Sequence, residues 1–172
     1  MKLIITLILI ILTTITKSQS PLLTELEVNK LYIEFYKKLR GTKPKPRWEL
    51  DSLTLIQQKH FLTLDSISQI NHENTIPKFK TLDDRVNYYY LYTNNSYFAE
   101  VISTIYRSNQ KYGTEQELAK TLFKLLLESP SHKKILQKRE IKSFNFKVTK
   151  LGFGAWNLIG VFSSDETFFL KQ

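Results

Sequence analysis

Few side chains in this sequence could do chemistry. The 172-residue chain has three histidines and no cysteine. Without a thiol there is no disulfide framework, thiolate zinc site, iron–sulfur cluster or cysteine nucleophile. Histidine is then the side chain best suited to act near neutral pH, as a base or as a neutral nitrogen ligand. His60 lies between Lys59 and Phe61 within an apolar helical pattern, and is expected to be a helix residue without a chemical role. His72 stands in the polar stretch Asn71-His72-Glu73-Asn74, which ends at Pro77 and reads as a loop. His132 follows Ser129-Pro130-Ser131. Two serines beside a histidine invite a nucleophile–base reading. No G-x-S-x-G elbow is present to expose either serine, however, and neighbours at a helix start rarely point at one another.

Charge is the second feature with functional content. The sequence holds 25 Lys+Arg against 16 Asp+Glu, a formal +9. Residues 37–47 carry Lys37, Lys38, Arg40, Lys43, Lys45 and Arg47 with no acid, and residues 133–150 carry seven basic residues with only Glu140. Such runs attract anionic surfaces, either lipid or wall polymer. Tyr88-Tyr89-Tyr90 and Tyr92 could stack on bases, but tyrosines in a helical pattern pack on a core, and a location outside the cytoplasm makes nucleic acid a poor partner.

That location follows from the N-terminus. Lys2, an apolar run over residues 3–12 and a polar tail with small residues make a secretory signal peptide. Thr16 and Ser18 suit the positions before cleavage, which places the cut after Ser18. The run is too short for the ~18–20 residues of a spanning helix. The mature chain, residues 19–172, then carries +7 and is long enough for one domain held by its core alone. It is expected to be secreted, extracellular or periplasmic, with no transmembrane span. Absent cysteine favours a bacterial exporter over a eukaryotic one.

The elements that must position these residues run helices first, strands last. Residues 23–39 form a helical stripe through Leu26, Leu31, Phe35 and Leu39, with Val28 and Tyr32 widening it, and Gly41 stops it. Lys43-Pro44-Lys45-Pro46 is an extended connector. A second helix is expected over 51–70, capped by Asp51, with Leu53, Ile56, Phe61, Leu64 and Ile67 on its apolar face and Leu55 and Leu62 adding width. A short third helix starts at Thr81-Leu82-Asp83-Asp84, and Asn94-Asn95 breaks the pattern. Residues 96–106 fit helix or strand. Residues 115–127 form a clear helix, and Pro130 begins a short one through Leu136. Residues 144–148, 151–156, 158–162 and 167–170 are strand candidates, with Gly152, Gly154 and Gly160 marking bulges or close backbone approach. This order implies an α+β domain.

Several stretches in this order resemble the CAP superfamily, the SCP-like extracellular domains of cysteine-rich secretory, antigen 5 and pathogenesis-related 1 proteins. The most specific is Ser129-Pro130-Ser131-His132-Lys133-Lys134-Ile135-Leu136, similar to the family's S-P-x-H-x-x-x-L element after an amphipathic helix. Leu151-Gly152-Phe153-Gly154-Ala155-Trp156 is similar to its glycine-containing strand, Asp84-Arg85-Val86 to its short helix start, and Ala99-Glu100-Val101-Ile102 to its A-E-N-I element. Val101 replaces the usual asparagine and Leu126 the usual tryptophan. The resemblance is closest to the disulfide-free bacterial branch.

The resemblance implies an α-β-α sandwich, with helices flanking a small, mainly antiparallel sheet. It also implies a central cleft where His72, Glu100 and His132 converge. Glu128 and Glu117 are the candidates for the family's second glutamate. Two imidazoles and a carboxylate are a sufficient ligand set for a divalent ion such as zinc. Asp84 and Arg85 are expected to brace the third helix. The function implied is a non-enzymatic extracellular module that binds a divalent metal, lipid, wall polymer or peptide. The alternative is a secreted, metal-assisted hydrolase using the same cleft.

Overall fold

The computed structural model describes residues 25–41, 44–91, 96–106, 115–166 and 168–170. The segment expected to be a signal peptide, Tyr92 and the expected Asn94-Asn95 break lie outside them.

Helix α1, Glu25–Arg40, buries Val28, Tyr32 and Tyr36, one residue per turn. This line is the centre of its inner face. Leu31, Phe35 and Leu39 are only partly buried beside it, and Leu26 is exposed. The Pro44–Pro46 stretch contributes β1, Lys45–Pro46. A 3-10 turn, Trp48–Leu50, leads into α2, Asp51–Phe61. Asp51 is therefore not the cap. Its carboxylate instead accepts from Lys147 Nζ (3.2 Å) and Asn145 Nδ2 (3.3 Å) on the sheet.

Helix α2 ends nine residues earlier than its leucines imply. Thr63 Oγ1 donates to the His60 carbonyl, Gln69 Oε1 accepts from the Asp65 amide, and Ser66 is extended. Local side-chain bonds of this kind compete with the helical ladder. Its inner face is also not the leucine stripe. Leu53, Thr54, Gln57, Gln58, His60 and Phe61 are buried, whereas Leu62 is 52% exposed.

Helix α3, Leu82–Tyr89, begins with a capping box. Thr81 Oγ1 accepts from the Asp84 amide (3.1 Å), and Asp84 Oδ2 accepts from the Thr81 amide (2.9 Å). Strand β2, Tyr90–Leu91, follows directly. The ambiguous segment is strand β3, Phe98–Tyr106. Helix α4, Glu115–Glu128, and α5, Pro130–Leu136, come next. Strand β4 is Ser143–Lys150, β5 is Ala155–Ser163 and β6 is Phe169–Leu170.

The expected strands at 151–156 and 158–162 differ from what is found. Residues 151–154 are the turn between β4 and β5, closed by Gly154 N–H to Leu151 O (3.0 Å), and Gly154 has φ +82°. Only glycine enters that backbone region without a steric cost. From Ala155 onward there is one unbroken strand. Within it Gly160 marks a close approach. A Cβ there would stand 2.7 Å from the Phe146 ring and 2.9 Å from Val101 Cγ2.

The main sheet is four-stranded, open and mixed, in the order β1-β4-β5-β3, and only the β1–β4 pair is parallel. Strands β2 and β6 form a separate antiparallel pair. Because strand residues alternate between faces, β5 sends Trp156, Leu158 and Phe162 one way and Ala155, Ile159 and Val161 the other. The first set packs under α1, α4 and α5, and the second under α2 and α3. The molecule is thus α+β, a sheet with helices on both faces. Strand β1 is too short to cover the edge of β4. Asn29 Oδ1 and Glu25 Oε1 of α1 accept from the Val148 and Lys150 amides there (2.7 and 3.1 Å).

Candidate functional site

The second face of the sheet carries the polar residues. Glu100 lies on β3, and Val101 beside it faces the opposite, apolar core, where an asparagine amide would need partners. Glu100 is 2% exposed at its side chain, so its charge must be matched. Arg85 of α3, with a fully buried side chain, supplies the match through Nη2 to Glu100 Oε2 (2.7 Å). Its Nη1 donates to Gln57 Oε1 (2.6 Å) and more weakly to the His72 carbonyl (3.5 Å). Arg85 therefore does more than brace its helix. It ties α3, α2, the 71–74 loop and β3 to one buried guanidinium, whose planar fork suits several acceptors.

Gln57 is the participant that sequence reasoning missed. Its amide Nε2 donates to the Asn71 and Glu73 carbonyls (3.1 and 3.3 Å), on either side of His72, while its Oε1 receives Arg85. The available signal was position. Gln57 falls one turn after Leu53 and one turn before Phe61, in the stripe that faces the sheet. A glutamine in a core stripe needs buried partners.

The loop held by Gln57 and Arg85 presents His72. Its Nδ1 lies 3.0 Å from Glu100 Oε1, while the side chain remains 54% exposed. A carboxylate behind one ring nitrogen fixes the tautomer and turns the other nitrogen outward. His132, in the first turn of α5, faces this imidazole, with ring centroids 6.4 Å apart and planes at 63°. Burial holds the His132 imidazole below its ordinary range, and the neighbouring His72 adds to this. The neutral form so favoured is the one that can bind a ligand through nitrogen.

The structure thus brings His72, Glu100 and His132 to one place. Both Glu100 oxygens are engaged, one by Arg85 and one by His72. Among the described residues, no group of three or more His, Asp or Glu is arranged to hold a metal ion. What the structure shows is two facing imidazoles with the Glu100 carboxylate behind the first. Glu128 pairs with Lys124 one turn back on the surface of α4 (3.4 Å). Ser129 and Ser131 hydrogen-bond to each other through their hydroxyls (3.1 Å). His60 is buried at the end of α2, with Nδ1 3.4 Å from the Thr75 hydroxyl.

No family model and no curated protein matches the sequence. Solved structures do. An outer surface protein of Borrelia burgdorferi superposes with a TM-score of 0.50 at 15% identity, covering 80% of this chain and 89% of that one. An extracellular protein containing an SCP domain from Bacillus anthracis superposes with a TM-score of 0.52 at 12% identity, covering 80% of this chain. This chain spans only 41% of the Bacillus protein. Among the described residues, no helix is long and apolar enough to cross a membrane. Element order, the helices on both faces of the sheet and these superpositions together establish that the chain has an SCP-like fold.

Proposed function

We propose that the chain is an extracellular binding module. Residues 1–18 direct its export, residues 19–172 form a single domain, and a divalent cation such as zinc is held at the His72–His132 cleft. The observation that carries this reading is the construction behind His72. A buried Arg85–Glu100 pair and Gln57 hold one half-exposed imidazole facing a second, less exposed one. Such a base positions nitrogen ligands, and Glu100 serves as the orienting carboxylate. The bound ion would act as a Lewis acid and as a bridge to an oxygen-rich ligand such as a wall polymer or peptide. The serines of the S-P-x-H element pair with each other, which supports binding over nucleophilic catalysis.

The test is calorimetric titration of zinc into metal-free protein. One ion per chain is expected, with binding abolished by His72→Ala and by His132→Ala while thermal unfolding of the metal-free forms changes little. Binding that is equally tight in both variants, or absent in the parent protein, defeats the reading.

A further inference from the structure

One strongly exposed side chain belongs to neither core cluster and lies outside the cleft. Trp48 is 74% exposed, although its flat indole is among the costliest apolar surfaces to leave in water. It sits two residues beyond β1, at the edge of the sheet. The same edge is where the two basic runs meet. Parallel pairing of β1 with β4 bonds the Lys45 amide to the Lys142 carbonyl (2.9 Å) and the Arg47 amide to the Phe144 carbonyl (2.9 Å). Arg40 Nη1 donates to the Gln137 carbonyl, which joins the end of α1 to the end of α5. Residues almost a hundred positions apart thereby form one basic border of Arg40, Lys45, Arg47 and Lys142, with Lys45 and Lys142 exposed and the two arginines partly buried. Lys138, nearby in sequence, is already engaged by Glu140 (3.1 Å) and stands over the Tyr97 ring.

Lysine and proline on β1 have an ordinary purpose, since they prevent an edge strand from pairing with another chain. That purpose accounts for Lys45 and Pro46 but not for the neighbouring exposed tryptophan. Indole beside a cluster of cations fits the headgroup layer of an anionic membrane. There the ring occupies the boundary between water and hydrocarbon, and the cations meet phosphate. We propose that the Lys45–Trp48 edge docks the protein on an anionic lipid surface, with Lys45, Arg47 and Lys142 on headgroup phosphates and Trp48 inserted between them.

Trp48 is its own probe, because Trp156, the second tryptophan, is buried. Purified protein is mixed with vesicles containing phosphatidylglycerol, with pure phosphatidylcholine vesicles, or with polyphosphate of matched charge. The expected result is a blue shift of tryptophan emission on the anionic vesicles alone, reversed by high salt and missing in Trp48→Ala. Lys45→Glu combined with Lys142→Glu, shown to be folded by its thermal transition, should lower vesicle partitioning by about tenfold or more. Equal shifts on neutral vesicles, or partitioning insensitive to the charge reversals, overturn the proposal. An equal shift with polyphosphate overturns it in favour of a soluble polyanion.

Discussion

The two faces of the sheet use the same strands for opposite purposes. Toward α1, α4 and α5 the strands present Phe144, Phe146, Val148, Val101, Trp156 and Phe162. Tyr36 packs among three of these rings, at 4.7 Å from Phe144, 5.3 Å from Phe162 and 5.7 Å from Phe146. Toward α2 and α3 the same strands present, beside the apolar Ala155, Ile159 and Val161, the polar Glu100, Asn145, Lys147 and Thr149, joined by hydrogen bonds to Arg85, Asp51, Thr54 and Gln58. The first face is non-directional and tolerant of detail, because apolar burial scales with area. The second is directional, and each polar group depends on a partner at a fixed place. A domain without disulfides can carry such a face because the other supplies a buried aromatic core. The His72–His132 cleft lies on the face that is costlier to maintain.

The largest expected difference between the faces is at Arg85. Arg85→Met leaves Glu100 charged, buried and without its cation, and it strands Gln57 Oε1. Breaking a buried pair by removing one partner costs about 3–5 kcal/mol, so chemical denaturation should show a loss of that size. Adding Glu100→Leu should recover much of it, because both charges are then gone. A double variant as unstable as the sum of the two singles would mean that the pair is not coupled, and the directional character assigned to this face would be wrong.

These two faces were unequally legible in the sequence. The apolar face was readable from periodicity. Phe144, Phe146 and Val148 alternate and lie on one side of β4, and Leu118, Leu122 and Leu126 recur at helical spacing. The cap expected at Asp51 was not found, because a 3-10 turn leads into that helix, whereas helix starts were readable at Thr81-Leu82 and at Pro130. The polar face was not. Helix α2 looked like a leucine helix running to residue 70, yet its buried stripe contains Thr54, Gln57 and Gln58, whose long-range partners come from 14 to 91 positions away. No local pattern encodes such pairing. His72, Glu100 and His132 were placed together only by resemblance to a family, since separations of 28 and more residues carry no geometry. The place of Arg85 at the centre of the network, and the contact of Glu100 with His72, emerge only in the folded chain.

A smaller effect on the polar face is its dependence on pH. The His60 imidazole is held below its ordinary value of 6.5, first by burial and second by the Arg85 charge. Above pH 6.5 both the folded and unfolded states keep it neutral, and its contribution to stability is fully present. As pH falls below 6.5 the unfolded chain takes up a proton that the folded chain refuses, so stability declines until the folded-state value is passed. Each unit of depression is worth about 1.4 kcal/mol. The melting temperature of the parent protein should therefore drop between pH 7.5 and 5.5 by more than that of His60→Phe. Equal slopes would show that His60 charges freely in the folded state and that this end of α2 is not dry.

The smallest effect has the opposite sign and lies on the apolar face. Tyr32 is fully buried between the Phe123 and Phe146 rings, with centroids at 6.1 and 5.7 Å. Its hydroxyl has no hydrogen-bond partner among the described residues, and burial raises its ionisation well above the usual value. A buried hydroxyl without a partner has given up its water bonds for nothing. Tyr32→Phe removes that group and keeps the ring contacts, so stability should be unchanged or rise by up to about 1 kcal/mol in urea denaturation. The same kind of deletion, one polar group from a buried site, costs several kcal/mol at Arg85. If Tyr32→Phe instead loses more than about 1 kcal/mol, the hydroxyl has a partner that matters. The apolar face would then be holding the fold by direction as well as by area, and the division of labour between the faces would be one of degree.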